Sequence, residues 1–228
     1  HHKPIFLKEC YFLQPYEQDE DARRRTKMGR RFSTESVHGH DYYDVETGAF
    51  KVPLYLSAIF EHPDRRTGKA RQSDRGFEQK YSREENPTVR ALEKIVTKLE
   101  KGVEALAFNS GMATIATIYL STLQSGDNLI ITKECYGTTQ ELALNLSKFG
   151  IKTTLAGPET EDFIQKINKG VRLVLVETIT NPLLRVVNIR EISKRCKEVG
   201  ASLVVDNTFA TPILYNPLRD GAWLTVHS

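Results

Sequence analysis

The 228-residue sequence is poor in features that define several large classes of protein. It has three cysteines, Cys10, Cys135 and Cys196. That odd count, with no CxxC pair and no metal-ligand spacing, argues against a disulfide framework or a cysteine metal site and fits reduced thiols. Its longest apolar runs, such as VRLVLV and NLIIT, are far too short to cross a bilayer. No charged start followed by an apolar stretch and a small-residue cleavage site appears at the N-terminus, so the expected location is the cytoplasm, with no membrane partner. The net charge is only +3, and basic residues are mixed with acidic ones, which argues against nucleic acid as a partner. No glycine-rich GxGxxG follows a first strand, which argues against a dinucleotide-binding fold. No metal site is expected; the His1-His2 pair reads as the remnant of a purification tag.

What the chain does have is enough apolar content, 39%, for a sizeable core, suiting one large domain plus an extension. Residues 1–80 carry charge runs (EQDEDARRRTKMGRR, HPDRRTGKARQSDRG) and little sustained periodicity, so they read as an arm with short elements. The runs are solvated helix faces or surfaces for a neighbouring subunit. From about residue 81 the texture is regular. TVRALEKIVTKLEK places Val89, Leu92, Ile95, Val96 and Leu99 on one helical face, Gly102 is expected to stop that helix, and EALAFN reads as the strand that follows.

The alternation then continues through GMATIATIYLSTLQ, NLIIT, TTQELALNLSKFG, IKTTLA, TEDFIQKINKG, VRLVLVE, NIREISKRCKEVG, SLVVD and WLTVHS. Near-continuous apolar strands separated by amphipathic helices predict an α/β fold, a mostly parallel sheet with helices on both faces. In such folds ligands sit at the carboxyl ends of the strands, so the informative residues are those just after each strand.

Those residues are Asn109-Ser110-Gly111-Met112, Cys135-Tyr136-Gly137, Glu177 with Asn181, Asp206-Asn207-Thr208 and His227-Ser228. Ser110-Gly111-Met112 opens a helix, where free backbone N–H groups and the helix dipole suit an anion and glycine admits close approach; a plain helix cap with a turn glycine fits equally. Asp206 ends an apolar strand and needs a cationic or hydrogen-bonding partner, such as a protonated ring nitrogen, a ribose hydroxyl, a metal or the next turn. Tyr136 beside Gly137 could lay its ring on a planar ligand or be a surface turn tyrosine. Tyr81 and Arg83, before the Pro-Thr helix start, could present a phenol and a guanidinium fork to a phosphate, or form an ordinary surface ion pair.

In this order, the stretches VHGH…TGAFKVPLYLSAIF, YSREENPT, NSGMAT, ECYGTT, ETITNP and VVDNTFATP resemble the cystathionine gamma-synthase family of pyridoxal-phosphate enzymes, with the aspartate-aminotransferase-like fold. The resemblance implies pyridoxal 5′-phosphate as cofactor. It implies that Ser110, Gly111 and Met112 bind the cofactor phosphate, with Ser228 as a further ligand. Tyr136 would stack on the pyridine and move protons, and Asp206 would hold the pyridine nitrogen protonated. Asn181 and Thr208 would be near-neutral ring contacts. Tyr81 and Arg83 would reach the phosphate of a neighbouring subunit's cofactor, in a dimer of dimers. In the family the HS motif continues as Ser-x-Thr-Lys, so the Schiff-base lysine is expected just beyond Ser228. The chain therefore reads as residues 1–80, an arm and intersubunit segment, and residues 81–228, an incomplete cofactor-binding domain without the family's C-terminal domain.

By the same resemblance the activity is γ-replacement or elimination on sulfur amino acids, first of all cystathionine formation from an acylated homoserine and cysteine. Alternatives are a cystathionine gamma-lyase, an O-acylhomoserine sulfhydrylase, or a noncatalytic relative that keeps only the fold. Thr138 stands where methionine gamma-lyases of the family carry cysteine, which argues against that activity. Glu141 stands where several family members carry an arginine for the second substrate's distal carboxylate, which keeps a sulfide-using enzyme in view.

Overall fold

A computed structural model describes residues 31–40, 42, 47–49, 51–61, 75 and 80–228. The His1-His2 pair, Cys10 and most of the two charge runs lie outside those residues. In chain order the helices and strands are α1 (Phe32–His38), α2 (Pro87–Glu100), α3 (Gly111–Thr122), β1 (Asn128–Thr132), α4 (Gly137–Asn145), β2 (Lys152–Ala156), α5 (Thr160–Lys166), β3 (Val171–Glu177), α6 (Ile189–Val199), β4 (Ser202–Asp206), α7 (Thr211–Leu214) and β5 (Leu224–Val226). The described residues fall into two compact units, one of residues 100–103 and 108–228, the other of residues up to 99 together with 104–107.

The first unit is built on a five-stranded sheet of order β2-β1-β3-β4-β5, with every neighbouring pair parallel. Each strand is short, all but the edge strand β2 are mainly apolar, and side chains alternate between faces because the strand period is two. Leu129, Ile131, Leu173, Leu175 and Val204 pack on one face with Ile115, Ile118 and Tyr119 of α3 and Ala143 of α4. Ile130, Val174, Val176, Leu203 and Val205 pack on the other with Phe163 of α5 and Ile189, Ile192 and Cys196 of α6. Burial on both faces explains why the strands read as nearly unbroken apolar runs, and the expected α/β architecture is present.

Helix α6 shows how local sequence sets an element. Asn188 caps its start by accepting from the Glu191 N–H at 3.3 Å. Ile189, Ile192 and Cys196 recur at spacings of three and four on the buried face, and Gly200 ends the helix in the left-handed conformation, φ 79°, which glycine adopts without a Cβ penalty. Truncating fully buried Ile192 to Ala would cost about 2–5 kcal/mol through the lost burial and the cavity left behind.

The strand order reverses between β1 and β3. The chain leaves β1 toward β2 on one side and returns across it to β3 on the other. This switch opens a crevice at the carboxyl ends of β1 and β3, where open α/β sheets bind ligands.

In the second unit, Asn86 caps α2 by accepting from the Thr88 N–H at 2.9 Å, and Pro87 occupies the first helical position. Of the expected apolar face of α2, Val89 is 41% and Leu92 54% exposed, while Ile95, Val96 and Leu99 are half-buried. Glu93 is buried instead, paired with Arg75, while Arg90 pairs with Glu104. The expected strand over EALAFN does not form. Its backbone is engaged by side chains rather than by a ladder: Arg75 donates to the Ala105 carbonyl at 3.1 Å and the Ala107 N–H donates to Glu93 at 2.9 Å. Nor does Gly102 stop α2. The helix ends at Glu100, and Lys101 makes the turn with φ 58°.

Candidate functional site

A cleft of about 360 Å³ opens at the switch point. Its lining includes Ser110, Gly111, Met112, Tyr136, Glu177, Asn181, Asp206, Thr208 and Ser228, with Ile115, Thr139, Ile179 and Phe209 as its remaining walls. Folding thus gathers into one cleft at least one candidate from each of the five strand-end stretches, while Asn109, Cys135, Gly137, Asn207 and His227 are not among its lining. A larger open hollow of about 460 Å³, lined in part by Arg190, Tyr215 and Asp220, is less suited to binding. Its polar groups satisfy one another, Arg190 and Tyr215 both donating to Asp220 at 2.6 and 2.5 Å.

One end of the cleft is the start of α3. The Ser110 hydroxyl caps the helix by accepting from the Ala113 N–H at 3.1 Å, so the serine reads as a cap. The preceding N–H groups, those of Gly111 and Met112, have no acceptor within the helix, and with the helix dipole they favour an anion. Gly111 is required by what faces it. A Cβ there would lie 2.5 Å from the Ser228 Cβ and 2.6 Å from its hydroxyl. The two segments approach so closely that a hydroxyl and two helix-end N–H groups share one small cradle.

Asp206 closes β4 beside this cradle. Its Oδ1 accepts from the Thr208 N–H at 3.0 Å and the Thr208 hydroxyl at 2.6 Å, and Oδ2 has no protein donor among the described residues. Thr208 Oγ1 in turn accepts from the Ser228 N–H at 3.1 Å. Ser228, Thr208 and Asp206 are therefore linked in sequence, and Thr208 orients the carboxylate.

The aromatic wall is Tyr136, which precedes α4 and is 49% exposed. Its N–H donates to Glu177 Oε1 at 2.7 Å, and Glu177 Oε2 accepts from the Asn181 N–H at 2.8 Å. Burial holds the Glu177 carboxyl above the usual carboxylate range. The two N–H donors oppose that shift and the Asp206 charge adds to it. Cys135, next to Tyr136, is buried, and its thiol is pushed up to about 12, chiefly by burial and then by the Glu177 and Asp206 charges. It is an inert packing residue.

Beneath the cleft lies a polar layer that strand-end reading did not assign. Asn207, wholly buried, donates to Glu100 at 3.2 Å and to the Tyr215 carbonyl at 3.0 Å, and accepts from Thr178 at 2.7 Å. His227 also meets Glu100, at 2.5 Å. Asn207 and His227 each adjoin a cleft residue, so this layer holds Asp206 and Ser228 from below. The one sequence signal for Glu177 was its position at the end of VRLVLV, the same cue that marked Asp206; nothing local marked Glu100.

Tyr81 and Arg83 lie in the second unit. Tyr81 opens a turn whose N–H donors at Glu84 and Glu85 return to its carbonyl at 2.9 and 3.0 Å. The Arg83 guanidinium stacks over the Tyr81 ring, 4.8 Å from its centroid, so the two side chains form one cation–π pair.

The parallel sheet and the strand-end cleft at its switch point define an open α/β protein of the ligand-binding type. Within that class the chain belongs to the family of Cys/Met metabolism PLP-dependent enzymes, whose model matches residues 33–228. It is 40% identical over 203 residues to a cystathionine gamma-synthase/O-acetylhomoserine (thiol)-lyase of Bacillus subtilis, covering 88% of this chain and 52% of that protein. It is 37% identical over 194 residues to a cystathionine gamma-lyase of the same organism, covering 84% and 49%. A putative O-acetylhomoserine (thiol)-lyase of Campylobacter jejuni, solved with pyridoxyl-lysine phosphate, superposes with TM-score 0.78 at 27% identity, covering 87% of this chain and 49% of that one. The chain spans about half the length of the relatives it matches. Among the described residues no helix is long and apolar enough to cross a membrane.

Proposed function

We propose that the switch-point cleft holds pyridoxal phosphate and that the protein of which this chain forms part performs γ-replacement in sulfur amino-acid metabolism, joining an acylated homoserine to cysteine. The observation that carries this reading is the convergence of the α3 start, Tyr136, Asp206 and Ser228 on one cleft. The donor set fits the cofactor. The Gly111–Ser228 cradle suits a phosphate, Tyr136 offers an aromatic face, and Asp206 offers a carboxylate oxygen to a ring nitrogen.

When bound, the cofactor supplies a sink for the electrons released as the substrate's α proton leaves. The chain's own residues orient and tune it. Gly111 and Met112 N–H groups and the Ser228 hydroxyl bind the phosphate. Asp206, held by Thr208, keeps a proton on the ring nitrogen, a charge-assisted hydrogen bond of about 1.5–3 kcal/mol. Tyr136 covers the ring, and its hydroxyl moves protons as the γ substituent departs. Asn181 makes a neutral contact. Tyr81 and Arg83 serve the phosphate of a neighbouring subunit, so the working unit is a symmetric dimer, paired into a tetramer.

A second reading, sulfide rather than cysteine as the incoming thiol, is favoured by Glu141. It is an exposed acidic residue on α4, and it would repel the distal carboxylate of an amino-acid thiol. The experiment is to purify the intact gene product with pyridoxal phosphate and assay O-acylhomoserine with cysteine and with sulfide. A yellow protein that loses its colour on borohydride reduction and forms cystathionine is expected. Homocysteine from sulfide alone would select the second reading, and a protein that stays colourless with added cofactor would end both.

A further inference from the structure

The switch point between β1 and β3 is spanned by a single side chain. Glu177 closes β3 with 6% of its surface exposed, and its two oxygens accept from different loops. Oε1 takes the N–H of Tyr136, in the loop after β1, at 2.7 Å, and Oε2 takes the N–H of Asn181, in the loop after β3, at 2.8 Å. Both of those residues line the cleft. Bridging two N–H donors in this way requires two acceptors and no donor. Among side chains of this length an ionised carboxylate meets that requirement, whereas glutamine would set an NH₂ against one of the N–H groups.

The position is unfavourable for a charge. Glu177 is buried, and its register partner on β4 is Asp206, a second carboxylate at the same end of the sheet. Burial raises the Glu177 carboxyl and the two backbone donors offset only part of that rise. The bridge therefore holds a desolvated carboxylate at an energetic cost that its two backbone donors only partly offset. A buried carboxylate whose two partners are both cleft-lining loops points to a task in the cleft.

We propose that Glu177 is a positioning residue that sets the spacing of Tyr136 and Asn181 across the cleft and so fixes how a bound cofactor ring is held, an inference that rests on the reading of the cleft as a pyridoxal-phosphate site. Glu177→Gln preserves shape and packing but breaks one arm of the bridge. Pyridoxamine 5′-phosphate is the probe, because it binds without a covalent link to the protein. The variant is expected to bind it about tenfold more weakly, the loss of one charge-assisted bond. The visible circular dichroism band of the bound probe should weaken too, measured at temperatures where the ligand-free variant is fully folded. A folded variant with wild-type affinity and an unchanged band would overturn the proposal. A wild-type protein that fails to bind the probe overturns the cofactor reading itself, a distinguishable result. Should the glutamine variant not fold, amide exchange in the wild type decides. Tyr136 and Asn181 amides that exchange far more slowly than their exposed neighbours support the bridge, and equal rates refute it.

Discussion

Glu177 and Asp206 are register partners at the carboxyl ends of β3 and β4, so two carboxylates stand side by side at the mouth of the cleft. Their hydrogen bonds divide them. Glu177 spends both oxygens on backbone N–H groups of flanking loops, whereas Asp206 gives Oδ1 to Thr208 and leaves Oδ2 to the cleft. One side chain shapes the site, and the other is available to a ligand.

Asp206→Ala is therefore expected to lower turnover by about ten- to 150-fold, the effect of losing one strong charged hydrogen bond to the reacting system. Some cofactor should stay bound through the phosphate cradle. Steady-state turnover with saturating cofactor measures this, and wild-type turnover would mean that Asp206 does not face the ring nitrogen.

Gly111→Ala should impair the phosphate end selectively. Its Cβ would fall 2.5 Å from the Ser228 Cβ, pushing the α3 start and the β5 end apart. Comparing pyridoxamine with pyridoxamine 5′-phosphate isolates the effect. The wild type should prefer the phosphorylated form strongly, and the variant should lose most of that preference while binding pyridoxamine much as before. A retained preference would place the anion elsewhere.

The thiols set an alkaline limit. Burial pushes Cys135 and Cys196 from 9.0 up to about 12 in the folded state. A group whose folded pKa is raised contributes stability that is intact below its unfolded value and is lost as pH rises through the folded one. Stability should thus hold up to about pH 9 and decline from there toward pH 12, more steeply above 10 as the buried Tyr119 hydroxyl, also raised by burial, joins in. Denaturant melts at pH 8, 9 and 10 measure the onset, which replacing both cysteines with alanine should soften between 9 and 10. Native protein at pH 8 should also resist thiol reagents at both positions.

Subunit sharing is tested by mixing. If Arg83 serves a neighbour's phosphate, Arg83→Ala and Asp206→Ala homodimers of the intact gene product are each defective in both sites. A mixed dimer has one site with both defects and one with neither. Subunit exchange, confirmed separately, should restore part of the activity. Mixed dimers without recovery would show that Arg83 does not act across the interface.

Much of the architecture was legible locally. The short apolar strands and the amphipathic helices between them announce a two-faced parallel sheet, because strand period, helix period and burial on both sides are written into neighbouring residues. The strand-end rule then pointed to Ser110, Gly111, Met112, Tyr136, Asn181, Asp206, Thr208 and Ser228, and folding brings these to one cleft. Local reading failed where side chains satisfied the backbone from afar. EALAFN has a strand's composition, yet Arg75 and Glu93 hold its peptide groups.

What the sequence determined by itself is the order of elements and the residue types that stand at their ends, since both depend on interactions within a few positions. Tertiary structure alone decided which of those residues meet and what each one holds. Glu177 reaches Tyr136 across 41 positions, and Glu100 reaches His227 across 127. Buried polar groups must find partners wherever the packed chain brings them, and no local pattern records which partner that will be.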